Sequence, residues 1–72
     1  MSLGNRIRYV RGDLSQGEFA EILGARRNTI SAWERNISMP GGEFLLRIYE
    51  EFNVNLNWLL SGEGETHQPK NK

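Results

Sequence analysis

Apolar residues recur along this chain at helical rather than strand spacing. Leu3, Ile7 and Val10 fall at i, i+4 and i+7, which is one face of a first helix. Phe19, Ala20, Ile22 and Leu23 make a second stripe. Ile30 and Trp33 mark a third, with Arg26, Arg27, Asn28, Thr29 and Ser31 left on the outer side. Leu45, Ile48 and Phe52, flanked by Leu46 and Tyr49, predict a fourth helix over 43–52. Leu56, Trp58 and Leu59 lie in a short fifth over 56–60. No alternating pattern of the kind a strand requires is apparent.

The breaks between these stripes carry their own chemistry. Ser15 can cap the second helix, and Glu18 stands three residues on, as a capping box requires. Gly24 and Asn36 tolerate the left-handed backbone that ends a helix, so they close the second and third. Met39 precedes Pro40 and should be extended. Asn53-Val54-Asn55 interrupts the fourth helix, Asn55 caps the fifth, and Ser61-Gly62 ends it. Residues 63–72 contain no large apolar side chain and read as a disordered polar tail or linker, leaving 1–62 as the folded domain.

Composition narrows the class. Seventy-two residues make one small domain, which buries roughly 60% of its unfolded surface. There is no cysteine, which excludes a disulfide framework and suits a reducing, cytoplasmic setting. No run approaches a membrane span. The only histidine, His67, lies in the polar tail away from any acidic cluster, which argues against a catalytic or metal site; no cofactor or small-molecule ligand is indicated. Arg11-Gly12-Asp13 matches an integrin-recognition tripeptide, but nothing else in the chain reads as secreted. Net charge is zero, yet residues 1–39 hold six arginines against four acids, and residues 40–72 hold three basic residues against five acids. Such a dipolar molecule can turn a positive end toward phosphate.

Two short helices joined by a tight turn, with a small residue at Ala20 to let them cross closely, are the layout of a helix-turn-helix. Leu14-Ser15-Gln16, Glu18-Phe19-Ala20, Leu23-Gly24, Thr29-Ile30-Ser31, Trp33-Glu34-Arg35, Pro40 and Asn57-Trp58-Leu59-Leu60 resemble the Cro/phage-repressor (XRE-like) helix-turn-helix family over about residues 3–64. The resemblance implies a compact, all-α, five-helix bundle of the lambda-repressor-like type, with the helix-turn-helix at helices 2 and 3. It implies sequence-specific binding of double-stranded DNA by a bacterial or phage transcriptional regulator, a repressor more than an activator, that acts as a homodimer on a palindromic operator. The alternative is an antitoxin-like or adaptor module whose main partner is a protein; an exposed apolar groove around Tyr49, Phe52 and Trp58 would favour it.

Carried over position by position, the resemblance makes Arg26, Arg27, Asn28 and Ala32 the base-reading set. Gln16, Thr29, Ser31, Asn36 and Ser38 become phosphate contacts. Glu34 pairs with an arginine of the first helix, Arg11 or else Arg8. Leu56, Trp58 and Leu59 become the dimer interface, with Trp58 either an anchor there or a core residue. Asn36 stands where the family usually has glycine. Arg26 stands where a Ser or Thr cap is common, which leaves Asn28 as a substitute cap.

Overall fold

Five helices follow one another in the computed structural model, which describes residues 1–69. They are α1 (Leu3–Arg11), α2 (Gln16–Leu23), α3 (Arg27–Glu34), α4 (Gly42–Phe52) and α5 (Leu56–Ser61). Local chemistry sets their ends. Ser15 and Glu18 form a reciprocal capping box at α2, and Gly24 closes that helix in the left-handed conformation. Asn36 takes φ = 60° just past α3, and Asn53 takes φ = 55° at the end of α4. Asn55 caps α5, and Gly62 ends it at φ = 85°.

α2 packs on α3, α1 lies across α3 and α5, and α4 backs α2. Ile7, Phe19, Ala20, Leu23, Ile30, Trp33, Ile48, Val54, Trp58 and Leu59 are buried together. Phe19 stacks against Phe52, and Trp33 meets Phe44 edge-on. Ile22, Leu46 and Tyr49, which share the sequence stripes, are exposed instead. The stripes of α2 and α4 are wider than the contact each helix makes.

Two residues that the hydrophobic pattern passes over hold α1 in place. Gly4 lies so close to the carboxyl end of α3 that a Cβ there would sit 2.5 Å from the Glu34 carbonyl oxygen and 2.7 Å from that of Trp33. Arg6 is buried, and among the described residues no carboxylate pairs with it. Its guanidinium donates from Nε to the Leu59 carbonyl (2.7 Å), from Nη2 to that of Leu60 (3.2 Å) and from Nη1 to that of Met1. A cation at the carboxyl end of α5 satisfies orphan carbonyls and complements the helix dipole.

The end of the chain departs from the expected disordered tail. Residues 63–68 turn back along 53–57, and His67 pairs with Val54 in an isolated antiparallel bridge. The reason lies in backbone and asparagine amides, which an apolar pattern does not register. Residues 70–72 of that expected tail lie outside the described residues.

Candidate nucleic-acid interface

The site is built on Glu34 at the end of α3. A carboxylate there opposes the helix dipole and is fully buried, so it needs strong partners. Arg11 supplies a forked pair, Nε to Oε2 at 2.7 Å and Nη2 to Oε1 at 3.0 Å. Gln16 donates from Nε2 to Oε1 at 3.0 Å. Arg8, whose side chain is mostly exposed, adds a longer ion pair at 3.5 Å. Arg11 also donates from Nη1 to the Leu14 carbonyl (2.7 Å), which pins the turn before α2. One carboxylate thus ties together the end of α1, the start of α2 and the end of α3. Burial by itself pushes the Glu34 carboxyl up. The hydrogen bonds from Arg11 and Gln16 and the charges of Arg11 and Arg8 outweigh it, and hold the group below the ordinary glutamate range. The same hydrogen bond to Glu34 raises Arg11 against its partial burial.

Above this brace lies an open cleft of about 520 Å³ lined by Arg11, Ser15, Gln16, Gly17 and Arg27. Two guanidinium groups and the amino end of α2 converge there, which suits an anionic oxygen cluster such as a phosphate. Next to it α3 begins with Arg26 as its flanking residue, and no side chain caps it. Asn28 therefore does not serve as the substitute cap; it lies one residue inside the helix. Arg26, Arg27 and Asn28 are exposed, and among the described residues none spends its side chain on an internal hydrogen bond. Thr29, Ser31 and Ala32 are half-buried along the same helix, and Ser38 is exposed in the loop beyond it.

Three expected roles need correction. Asn36 is committed to its own chain: its Oδ1 accepts from the Gly4 N–H (3.0 Å), and its Nδ2 donates to Ser2 Oγ (3.2 Å). It caps α1 rather than reaching for phosphate. Asn36→Ala is expected to cost about 1–2 kcal/mol, from the lost cap and the left-handed backbone, and Asn36→Gly less than that; urea denaturation of both variants measures the order. Leu59 is fully buried, and Trp58, at 7% exposure, stacks edge-on against Tyr9 at 5.6 Å. Both belong to the core, so of the expected dimer residues only Leu56, which is half-buried, keeps surface to offer. Of the residues named for the protein-partner reading, Tyr49 is exposed, Phe52 half-buried and Trp58 buried.

Among the described residues, no three His, Cys, Asp or Glu side chains come together as a metal site requires, and no helix is long and apolar enough to cross a membrane.

A capped helix, a short turn and a second helix with a polar, cationic and unpaired amino end define a helix-turn-helix protein. The chain belongs to the helix-turn-helix domain family, which it matches over residues 4–65. It is 34% identical over 71 residues to the HTH-type transcriptional regulator DicA of Escherichia coli (strain K12), across 96% of this chain and 52% of that protein. It is 34% identical over 65 residues to the repressor protein CI of Enterobacteria phage phi80, across 88% of this chain and 27% of that one. The chain thus spans about half the length of the first relative and about a quarter of the second. Among solved structures, the P22 c2 repressor in complex with a synthetic operator superposes with a TM-score of 0.79 at 32% identity, covering 88% of this chain and 98% of that one. The solution structure of the DNA-binding domain of the same repressor gives 0.75 at 31% identity, covering 86% and 84%. The family is a class of regulators rather than of enzymes.

Proposed function

We propose that this chain binds double-stranded DNA sequence-specifically as the operator-reading part of a cytoplasmic transcriptional repressor, and that two copies occupy a palindromic site. The observation that carries the reading is the placement of the Arg11–Glu34–Gln16 brace beneath a cationic cleft, beside an α3 amino end with unspent side chains. A phosphate in the cleft would be held by Arg11, the Gln16 amide and the first N–H groups of α2. That contact would set α3 in the major groove. Arg27 presents two donors that match guanine O6 and N7, and Asn28 a donor and an acceptor that match adenine N7 and N6. Arg26 serves phosphate, or a base where the groove allows. Ala32 meets a thymine methyl or clears space for one. Thr29, Ser31 and Ser38 hydroxyls supply further phosphate contacts.

One such module has a small footprint. Two copies, with half-sites about 34 Å apart, give the length that specificity needs. The likeness to the transcriptional regulator DicA, the phi80 repressor and the operator-bound P22 c2 repressor supports the DNA-binding and repressor part of this reading.

Selection of duplexes from a random library by the purified protein tests the reading directly. A two-fold motif with guanine in each half-site is expected, and no enrichment at low salt would sink it. Arg27→Ala should then weaken binding to the selected site by about 1–3 kcal/mol per half-site and relax the preference at that guanine. Equal loss for all sequences would mean that Arg27 touches only phosphate. Affinity should also fall steeply with salt, because each neutralised phosphate releases counterions.

A further inference from the structure

The helix α5 has six residues, too few to stand by propensity alone. It is held at both ends. Arg6 grips its carboxyl end through the Leu59 and Leu60 carbonyls. Its amino end is held by the returning segment 63–68, in a way that uses every other residue of Asn53-Val54-Asn55-Leu56-Asn57. The Asn53 amide donates to the Gln68 carbonyl at 3.1 Å, the Asn55 amide to that of Glu65 at 2.8 Å, and the Asn57 amide to that of Glu63 at 3.4 Å. Two backbone bonds complete the contact, Asn55 N–H to the Thr66 carbonyl (3.0 Å) and Gln68 N–H to the Asn53 carbonyl (2.9 Å). Beneath them Val54 is wholly buried between two asparagines. The family match ends at residue 65, so the bridging residues Thr66, His67 and Gln68 lie past it.

From this we infer that residues 63–68 form a detachable strap that fixes the amino end of α5 and thereby controls how two copies pair on DNA. The first half stands on the contacts above. The second rests on the proposed operator reading: Leu56, which keeps surface for a partner, lies between Asn55 and Asn57, both of which the strap holds. The strap is detachable because its bonds are at the surface, and their modest net gain is set against the entropy of ordering six residues. Trp58 and Leu59 stay in the core and Arg6 keeps the carboxyl end, so opening the strap frees the amino end of α5 around Asn55 and Leu56 while α1, α2 and α3 stay folded.

Gln68→Pro removes the N–H that bonds Asn53 and leaves the buried core untouched; a chain ending at Gly62 removes the strap entirely. Amide exchange by NMR compares both with the full 72-residue chain. The Asn55 amide should exchange about tenfold or more faster in each variant, while the Phe19 amide in α2 stays within about twofold. Binding of Gln68→Pro to the selected palindromic duplex should fall about tenfold or more, with a half-site duplex bound as before. Equal Asn55 exchange in all three chains would overturn the strap, and so would equal acceleration at Asn55 and Phe19. Faster exchange at Asn55 with unchanged palindrome binding would overturn its control of pairing. If the full chain binds no duplex at all, the operator reading fails, pairing on DNA falls with it, and Asn55 exchange still decides the strap.

Discussion

Replacing Glu34 with alanine should lower stability by about 3–5 kcal/mol, the range for breaking a buried ion pair from one side. The buried carboxylate is the shared acceptor for Arg11 and Gln16, and Arg8 lies at 3.5 Å. Its loss leaves the Arg11 guanidinium, which is only 17% exposed, without its counter-charge. A domain of this size has little more than that to lose. Thermal unfolding followed by circular dichroism should move down by about 12–40 °C, given roughly 4–8 °C per kcal/mol in small domains. Glu34→Gln keeps the volume and one acceptor, so it should fall between wild type and alanine. A drop under about 1 kcal/mol for alanine would mean that the pair behaves as an ordinary surface contact.

The same carboxylate gives the fold a pH signature. Its folded pKa lies below its ordinary value of 4.5. The stabilisation is therefore complete above that ordinary value, and it is lost as pH falls through the folded one. Wild type should lose more stability on acidification below about pH 5 than Glu34→Gln does. Parallel curves for the two proteins would show that Glu34 does not carry the acid sensitivity.

Gly4→Ala is the second large effect expected, and it runs against helix propensity. Alanine in α1 should favour the helix by up to about 1 kcal/mol. The added methyl, however, would meet the Glu34 and Trp33 carbonyl oxygens at 2.5 and 2.7 Å, and these are backbone atoms of α3 that cannot rotate away. α1 must then lift from α3, which strains Asn36 against Gly4 and Ser2. A net loss of about 3 kcal/mol, the upper end of ordinary overpacking, is expected. Urea titration of Gly4→Ala beside Gly17→Ala, whose Cβ would meet only Ser15 Oγ at 3.8 Å, separates crowding from the general effect of adding a methyl. Similar values for the two would contradict the close approach.

The helices and their punctuation were legible in the sequence because they depend on neighbours three or four residues apart. The Ser15–Glu18 box, the left-handed Gly24 and Asn36, and the Asn55 cap are all of this kind. The features that were not legible join distant positions. Arg6 meets carbonyls more than 50 residues away, and Asn36 bonds Gly4 across 32. Neither leaves a periodic trace, and carbonyl acceptors have no residue type to recognise. The roles of Trp58 and Leu59 were open for a related reason: on a helix as short as α5, an apolar face does not say whether it meets its own chain or another. Arg11 and Glu34 form the closest of the contacts that the family pattern anticipates, while Arg8 supplies the longer ion pair.

At the amino end of α3, Arg26, Arg27 and Asn28 carry no internal hydrogen bond among the described residues, whereas Glu34, one turn past the middle of the same helix, is fully committed. On the proposed operator reading, the labour of folding and the labour of selection are divided along one helix. Substitutions at the first three positions leave the fold almost indifferent, so a lineage could exchange one preferred sequence for another in single steps without first acquiring a compensating change. If these positions read bases as proposed, retargeting by design has the same freedom: a library confined to positions 26–28 spends its diversity on preference rather than on rescuing stability.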